Sequence, residues 1–95
     1  MIASFGDKAT RQLYNTGVRP PRIPPDIART ALRRLDSLNA ATQLVDLRSP
    51  PGNRLEQLKG DLAGFYSIRV NDQWRIVFRW SGGDAHEVRI LDYHD

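Results

Sequence analysis

Hydrophobic positions recur at helical spacing in the first half of the chain and alternate in the second half. The opening MIASF predicts a brief strand, and Asp7 and Gly17 are suited to cap a helix over residues 8–16. From Asp26 an apolar stripe predicts a helix of about three turns. The stripe contains Ile27, Ala28, Ala31, Leu32, Leu35 and Leu38. A further short helical turn is predicted over residues 41–47.

Three stretches rich in aromatic and β-branched residues predict strands over residues 65–70, 74–80 and 87–91. Turns at residues 71–73 and 81–83 separate them. Because helices come first and consecutive hairpins follow, the predicted fold is α+β, with the helices packed on one face of an antiparallel sheet. The prolines of VRPPRIPP predict a stiff linker between the two helices.

Alternation along the predicted strands sorts their side chains onto two faces. The apolar parity contains Tyr66, Ile68, Val70, Trp74, Ile76, Phe78, Trp80, Val88 and Ile90. The opposite parity contains Ser67, Arg69, Arg75, Val77, Arg79 and Arg89. The pattern predicts one face that packs on the core and one face that is cationic.

Loop length determines which arginines meet on the cationic face. A three-residue loop at 71–73 keeps the two faces apart and sets Arg69 opposite Arg75. A three-residue loop at 81–83 would likewise bring Arg89 beside Arg75, which predicts a row of three arginines. Like charges opposed across a sheet cost up to about 1 kcal/mol per pair.

Two explanations of this row remain open. Glu87, Asp92 or another carboxylate could neutralise it within the chain. Alternatively, the arginines bind an anion, and a polyphosphate chain such as RNA or DNA fits best. We favour the bound anion.

The composition bears on the same question. The 95 residues fit one domain, residues 1–95, and carry a net charge of +3. Of the 14 basic residues only Lys8 and Lys59 are lysines, and the rest are arginines, which pair phosphate in a bidentate manner. A GC-rich genome, whose codon usage favours arginine, would produce the same bias. The absence of cysteine excludes disulfides and thiolate chemistry, and no segment resembles a signal peptide or a membrane span, so we expect a soluble, cytoplasmic protein.

The run RSPPGNRLEQLKGDLAGFYSIRVNDQWRIVFRW, followed by a closing DYH, resembles HigB-type toxins of bacterial type II toxin–antitoxin systems, in the RelE/ParE superfamily. The likeness is greatest to the plasmid-maintenance killer proteins, the branch that includes GraT. It implies a RelE-like α+β fold, a small curved antiparallel sheet backed by N-terminal helices. It also implies an endoribonuclease that cuts mRNA on the ribosome without a metal or cofactor and so inhibits translation. The implied partner is a HigA-type helix-turn-helix antitoxin, through which alone the toxin would meet operator DNA.

The resemblance also implies roles for single residues. Asp92, Tyr93 and His94 match the catalytic tail of the family. Arg75 matches its arginine in the central strand, and Lys59 matches the lysine of LKGD.

One position departs from the pattern. Where some HigB members have a catalytic histidine shortly before LKGD, this chain has Glu56. A glutamate is ionised at neutral pH, so it accepts a proton but does not donate one. We expect a weaker or differently tuned toxin.

Metal-free RNA cleavage requires a base for the 2′-hydroxyl, cations at the phosphate and an acid for the leaving 5′-oxygen. His94 suits the acid, because histidine titrates near neutrality. Arg75 would hold the phosphate, and any of Glu56, Asp92 and Tyr93 could assist the base. The candidate substrate-binding residues are Arg54, Lys59, Arg69, Arg79 and Arg89.

Alternation complicates this assignment. Asp92 and His94 share the apolar parity, whereas Tyr93 shares the parity of the arginines. Either the strand ends near Leu91 and the tail curls, or only some of these three residues take part in catalysis.

Two other functions compete with the nuclease. A ParE-like relative would share the fold but inhibit DNA gyrase by binding alone, without a terminal acid–base group. A plain RNA-binding or repressor-partner module would use the arginines only to position a nucleic-acid backbone.

Overall fold

Two helices precede four strands within residues 1–93, which are the residues that this computed structural model describes. The elements are α1 (Lys8–Thr16), α2 (Pro25–Ala40), β1 (Glu56–Gln57), β2 (Tyr66–Arg69), β3 (Trp74–Ser81) and β4 (Asp84–Asp92). The strands form one antiparallel sheet in the order β1-β2-β3-β4. The predicted α+β class is confirmed.

Several short elements differ from the prediction. The short strand β1 was not predicted, because two residues carry no alternation signal. The helical turn expected over residues 41–47 is a 3-10 turn at Leu44–Arg48, and further 3-10 turns occupy Pro51–Asn53 and Gly60–Leu62. No helix within residues 1–93 is long and apolar enough to cross a membrane.

Helix α1 begins and ends at its predicted caps. The Asp7 carboxylate accepts a hydrogen bond from the backbone N–H of Thr10 at 2.8 Å. Gly17 takes the left-handed conformation, with φ 74, that closes a helix at its C-terminus. Both caps satisfy backbone groups that the helix itself leaves unpaired.

The proline-rich segment between the helices is anchored to the rest of the protein. Ile23 is fully buried in the core. Arg22 donates to the Asp7 carboxylate at 2.8 Å and to the Ile90 carbonyl at 2.9 Å. The segment predicted as a linker thus joins α1 to β4.

Both helices pack on one face of the sheet, as predicted. The fully buried side chains of this core include Ile27, Ala31, Leu35, Leu38, Ile68, Ile76, Phe78, Val88 and Ile90. Each large aliphatic or aromatic side chain buried in this way contributes about 1.5–3 kcal/mol. The predicted apolar parity is confirmed across β2, β3 and β4.

The register between strands is confirmed at one hairpin and differs at the other. Arg69 lies opposite Arg75 across β2 and β3, as predicted. Across β3 and β4, however, Arg75 faces Leu91, and Arg89 faces Val77. The predicted row of three arginines was wrong.

The turn and a bulge together explain this difference. The turn consists only of Gly82 and Gly83, at φ 61 and 81, so Ser81 pairs with Asp84. A bulge then inserts one extra residue into β4, and Glu87 lies there at φ 53. Without the bulge, every later side chain of β4 would change face.

The opening strand predicted for the chain exists as two isolated parallel bridges. Ile2 pairs with Ala85 and Phe5 pairs with Val88. Gly6 follows at a close approach, where a Cβ atom would lie 2.8 Å from the carbonyl oxygen of the bulged residue. The N-terminal segment therefore packs directly against the bulge of β4.

Candidate active site

The guanidinium of Arg75 is the centre of the candidate site. Only 11% of its side chain is exposed. Nη1 donates to the Ser67 Oγ at 3.2 Å, and Nη2 donates to the Glu56 Oε1 at 3.4 Å. The Tyr93 ring centroid lies 5.4 Å from the Arg75 Cζ. Three predicted site residues, Glu56, Arg75 and Tyr93, thus come together, with Ser67 beneath them.

The sheet register produces this cluster. Glu56 lies opposite Ser67 across β1 and β2, and Ser67 lies opposite Val77 across β2 and β3. Arg75 precedes Val77 by two residues, so it projects from the same face and reaches diagonally toward Glu56. The buried charge is stabilised because hydroxyl, carboxylate and aromatic ring all contact it.

The cationic face also carries a second apolar cluster, which the sequence analysis did not predict. Leu58, Phe65 and Val77 are buried there, and Val77 has no exposed surface. Leu62, Leu91 and Tyr93 pack against them. The connection between β1 and β2 supplies part of this cover, so the arginines surround an apolar patch.

Arg79 and Arg89 form a separate group around Phe65. Their Cζ atoms lie 4.2 and 5.8 Å from the centroid of the Phe65 ring. Arg79 also pairs with Glu87, with 2.8 Å between Nε and Oε2. These contacts hold both guanidinium groups beside the aromatic ring.

Among residues 1–93, carboxylates pair with three of the four arginines on this face. The pairs are Arg69 with Asp72, Arg75 with Glu56, and Arg79 with Glu87. The repulsion between arginines therefore does not require a bound anion, and that argument from the sequence was wrong. The pairs of Arg69 and Arg79 lie at the surface, where an ion pair contributes at most about 1 kcal/mol, so a phosphate can replace either carboxylate at little cost.

The tail residues separate as alternation predicted. β4 ends at Asp92, one residue after Leu91. Tyr93 contacts Arg75 on the cationic face, whereas Asp92 lies opposite Trp74 and its Oδ2 accepts from the Gln73 Nε2 at 2.9 Å. The predicted acid, His94, lies outside the described residues.

Arg54 and Lys59 lie on the connections that flank β1. Both are exposed. Arg54 follows the 3-10 turn Pro51–Asn53, and Lys59 precedes the 3-10 turn Gly60–Leu62. Over residues 1–93 neither forms an ion pair, which leaves two cations on the edge near Glu56.

Two residues of the site escaped the sequence analysis. Ser67 was placed on the correct face but received no role, although its parity with Arg75 was a usable signal. Asp72 was assigned only to a turn, yet it pairs with Arg69. Short polar residues in turns carry no signal that identifies their partners.

A cavity on another part of the surface has none of the predicted site residues in its walls. It has a volume of about 370 Å³ and is lined by Leu44, Val45, Arg48, Leu55, Gln57 and Tyr66. Among residues 1–93, no group of three His, Asp or Glu side chains is arranged to hold a metal ion.

Comparisons with known proteins identify the family. The sequence model described as "RelE-like toxin of type II toxin-antitoxin system HigB" matches residues 3–94. Toxin HigB-1 of Vibrio cholerae is 46% identical over 94 residues, which cover 99% of this chain and 98% of that protein. Endoribonuclease HigB of Proteus vulgaris is 36% identical over 94 residues, which cover 99% and 100%.

The fold has a counterpart among solved structures. A chain of the YoeB–YefM complex from Staphylococcus aureus superposes with a TM-score of 0.60 at 17% identity, over 100% of this chain and 99% of that one. This likeness shows the fold. The match of the family model, together with the two full-length relatives, shows that this chain belongs to the HigB-like family of RelE-like toxins of type II toxin–antitoxin systems.

Proposed function

We propose that this toxin is a ribosome-dependent endoribonuclease that cleaves mRNA in the cytoplasm and is neutralised by a HigA-type antitoxin. The contact of Glu56 and Tyr93 with one largely buried guanidinium, that of Arg75, is the observation that carries the proposal. A relative that is named an endoribonuclease supports the same activity. The gyrase-inhibitor alternative is not favoured by the family assignment.

The proposed reaction is a transesterification at phosphorus. The 2′-oxygen of the RNA forms a bond to phosphorus, and the bond from phosphorus to the 5′-oxygen breaks. A base removes the 2′-hydroxyl proton, and an acid protonates the leaving 5′-oxygen. Arg75 would hold the non-bridging oxygens, where negative charge grows in the transition state.

Glu56 is the base in this proposal. Its carboxylate lies 3.4 Å from Arg75, and 48% of its side chain is exposed, so an RNA strand can reach it. A guanidinium has five N–H donors, so Arg75 can contact Glu56 and a phosphate at the same time. Of the other two candidates, Asp92 accepts a bond from Gln73 and Tyr93 packs over Arg75.

The remaining roles follow from position. His94 would be the acid, as the next residue after Tyr93. Arg69, Arg54 and Lys59 would contact the RNA backbone near β1, and Arg79 and Arg89 would contact it beside Phe65. Operator DNA would be contacted only through the antitoxin.

Primer extension on mRNA from cells that express the protein tests this function. We expect new 5′ ends that disappear when translation initiation is blocked. DNA breaks that depend on gyrase, without new mRNA ends, would support the ParE-like alternative. If the cells stop growing but show neither new mRNA ends nor DNA breaks, the protein acts by binding alone, and the proposal is contradicted.

His94→Ala tests the acid. Cleavage should be abolished, while the antitoxin still co-purifies with the variant. Full toxicity of His94→Ala would show that another group supplies the proton.

A further inference from the structure

Gln73, in the turn between β2 and β3, contacts the end of β4. The Gln73 carbonyl accepts a hydrogen bond from the backbone N–H of Tyr93 at 2.7 Å. Its side-chain Nε2 donates to the Asp92 Oδ2 at 2.9 Å. One turn residue therefore makes two hydrogen bonds to two consecutive residues, the last two before His94.

The turn that presents Gln73 is itself fixed. The side-chain Oδ1 of Asn71 accepts from the backbone N–H of Gln73 and from that of Trp74, both at 2.8 Å. Asparagine side chains that bond their own backbone two residues further on stabilise turns in this way. The orientation of Gln73 is set locally, before it meets β4.

The same turn is connected to the helical layer. Arg34 of α2 donates from Nε to the carbonyl of Arg69 at 3.1 Å, at the end of β2. The guanidinium of Arg69 pairs in turn with Asp72. The support for Gln73 therefore extends from α2 through the turn to the end of β4.

These contacts matter because the residues that follow a strand fray unless something holds them. Tyr93 must remain over Arg75, and His94 must begin from a fixed position, if the tail is to act on a phosphate at Arg75. Displacement of a catalytic group by about 1 Å can cost about 100-fold in rate.

We propose that Gln73 is a positioning residue for cleavage, which holds Asp92 and Tyr93 so that the tail meets the Arg75 site. The inference rests on the proposed function. Gln73 does not touch the reacting atoms. It acts on the tail, and its amide is matched to the Asp92 carboxylate as donor to acceptor.

Gln73→Glu provides the test, because it keeps the size of the side chain and turns the donor toward Asp92 into a carboxylate. We expect mRNA cleavage to fall about tenfold, equivalent to about 1.4 kcal/mol of barrier. Gln73→Met, which removes the donor without adding charge, should reduce cleavage in the same direction. Gln12→Glu makes the same chemical change on exposed α1 and should cleave as the wild type does.

Combination with Asp92→Asn separates positioning from a general structural effect. In the Asp92→Asn background an amide at position 92 can donate to a carboxylate at position 73, so Gln73→Glu should leave cleavage unchanged or raise it. The inference would be overturned if Gln73→Glu reduced cleavage equally in both backgrounds, or if it did not reduce cleavage when Asp92 is intact.

Amide hydrogen exchange at Tyr93 gives a readout that does not depend on activity. Protection of this amide should fall in Gln73→Glu and recover in the double variant, and constant protection would contradict the contact. If the wild type cleaves mRNA and the Gln73 variants cleave it equally well, the positioning role alone is refuted. A wild type that leaves mRNA intact refutes the proposed function, and the positioning role with it.

Discussion

Arg69 and Arg75 lie directly opposite one another across β2 and β3, yet each guanidinium contacts a different carboxylate. Arg69 pairs with Asp72 in the turn, and Arg75 pairs with Glu56 across the sheet. The two guanidinium groups therefore point toward different partners, although the two Cα atoms are paired across the strands. The pair offers two adjacent contacts for an RNA backbone, one on the turn side and one over the sheet.

Arg75→Lys should reduce mRNA cleavage by at least tenfold although the charge is kept. A lysine presents a point charge and cannot reproduce the fork that reaches both Ser67 and Glu56. Primer extension and growth inhibition measure the effect. Arg29→Lys, on the exposed side of α2, is the matched control and should behave as the wild type. Equal cleavage by both variants would remove Arg75 from the site.

Glu56→Gln should lower the cleavage rate by about 100-fold or more, the usual contribution of a general base. The amide keeps the shape of the side chain but cannot take the 2′-hydroxyl proton. Single-turnover cleavage on programmed ribosomes measures the rate separately from binding. Asp61→Asn, an exposed carboxylate in the next turn along the chain, is the control. A variant with normal rate would show that the base is another group.

Two substitutions of Glu87 should test the bulge. Glu87→Gly and Glu87→Val both remove the ion pair with Arg79, but only valine is strained at φ 53. We expect the valine variant to be less stable than the glycine variant by about 1–2 kcal/mol in urea unfolding. Equal stabilities would mean that the backbone at this position relaxes.

Tyr14 should titrate at higher pH than an ordinary tyrosine. Burial raises the pKa of its phenol above the usual 10.0, and the negative charge of Asp36 raises it further. The folded state thus favours the neutral phenol. The stability that this preference contributes is fully present below the pKa of the tyrosine in the unfolded chain, near 10. It is lost as the pH rises through the pKa of Tyr14 in the folded protein.

Carbon-13 labelling of tyrosine rings measures this titration by NMR. Asp36→Asn should lower the pKa of Tyr14 toward 10.0 without removing the part due to burial. No change in that variant would exclude Asp36 as a cause.

The pairing of Arg69 with Arg75 across β2 and β3 could be predicted from sequence, because parity and a three-residue turn leave one register that keeps the two faces apart. The position of Arg89 could not. A two-residue glycine turn and a bulge at Glu87 together preserve parity while they shift pairing by two residues. Glutamate carries no sequence signal for a left-handed conformation, so the bulge was invisible.

The candidate site shows the same division. Tyr93 was placed beside the arginines by alternation alone, and its contact with Arg75 confirms that placement. Glu56 was identified only by resemblance, because β1 is too short to show a pattern. The partners that neutralise the arginines come from a turn, from the two-residue strand β1 and from a bulge, where spacing does not predict contacts.

The apolar cluster beneath the arginines has a consequence for ionic strength. Only 11% of the Arg75 side chain is exposed, and Tyr93, which packs on this cluster, lies over its guanidinium. A charge shielded from solvent in this way is screened less by dissolved ions than a charge in open solvent. Contacts of RNA with exposed Arg54 and Lys59 should weaken steeply as salt is added, whereas the contact with Arg75 should persist. A strand bound in moderate salt would then be held mainly at the phosphate that is to be cut.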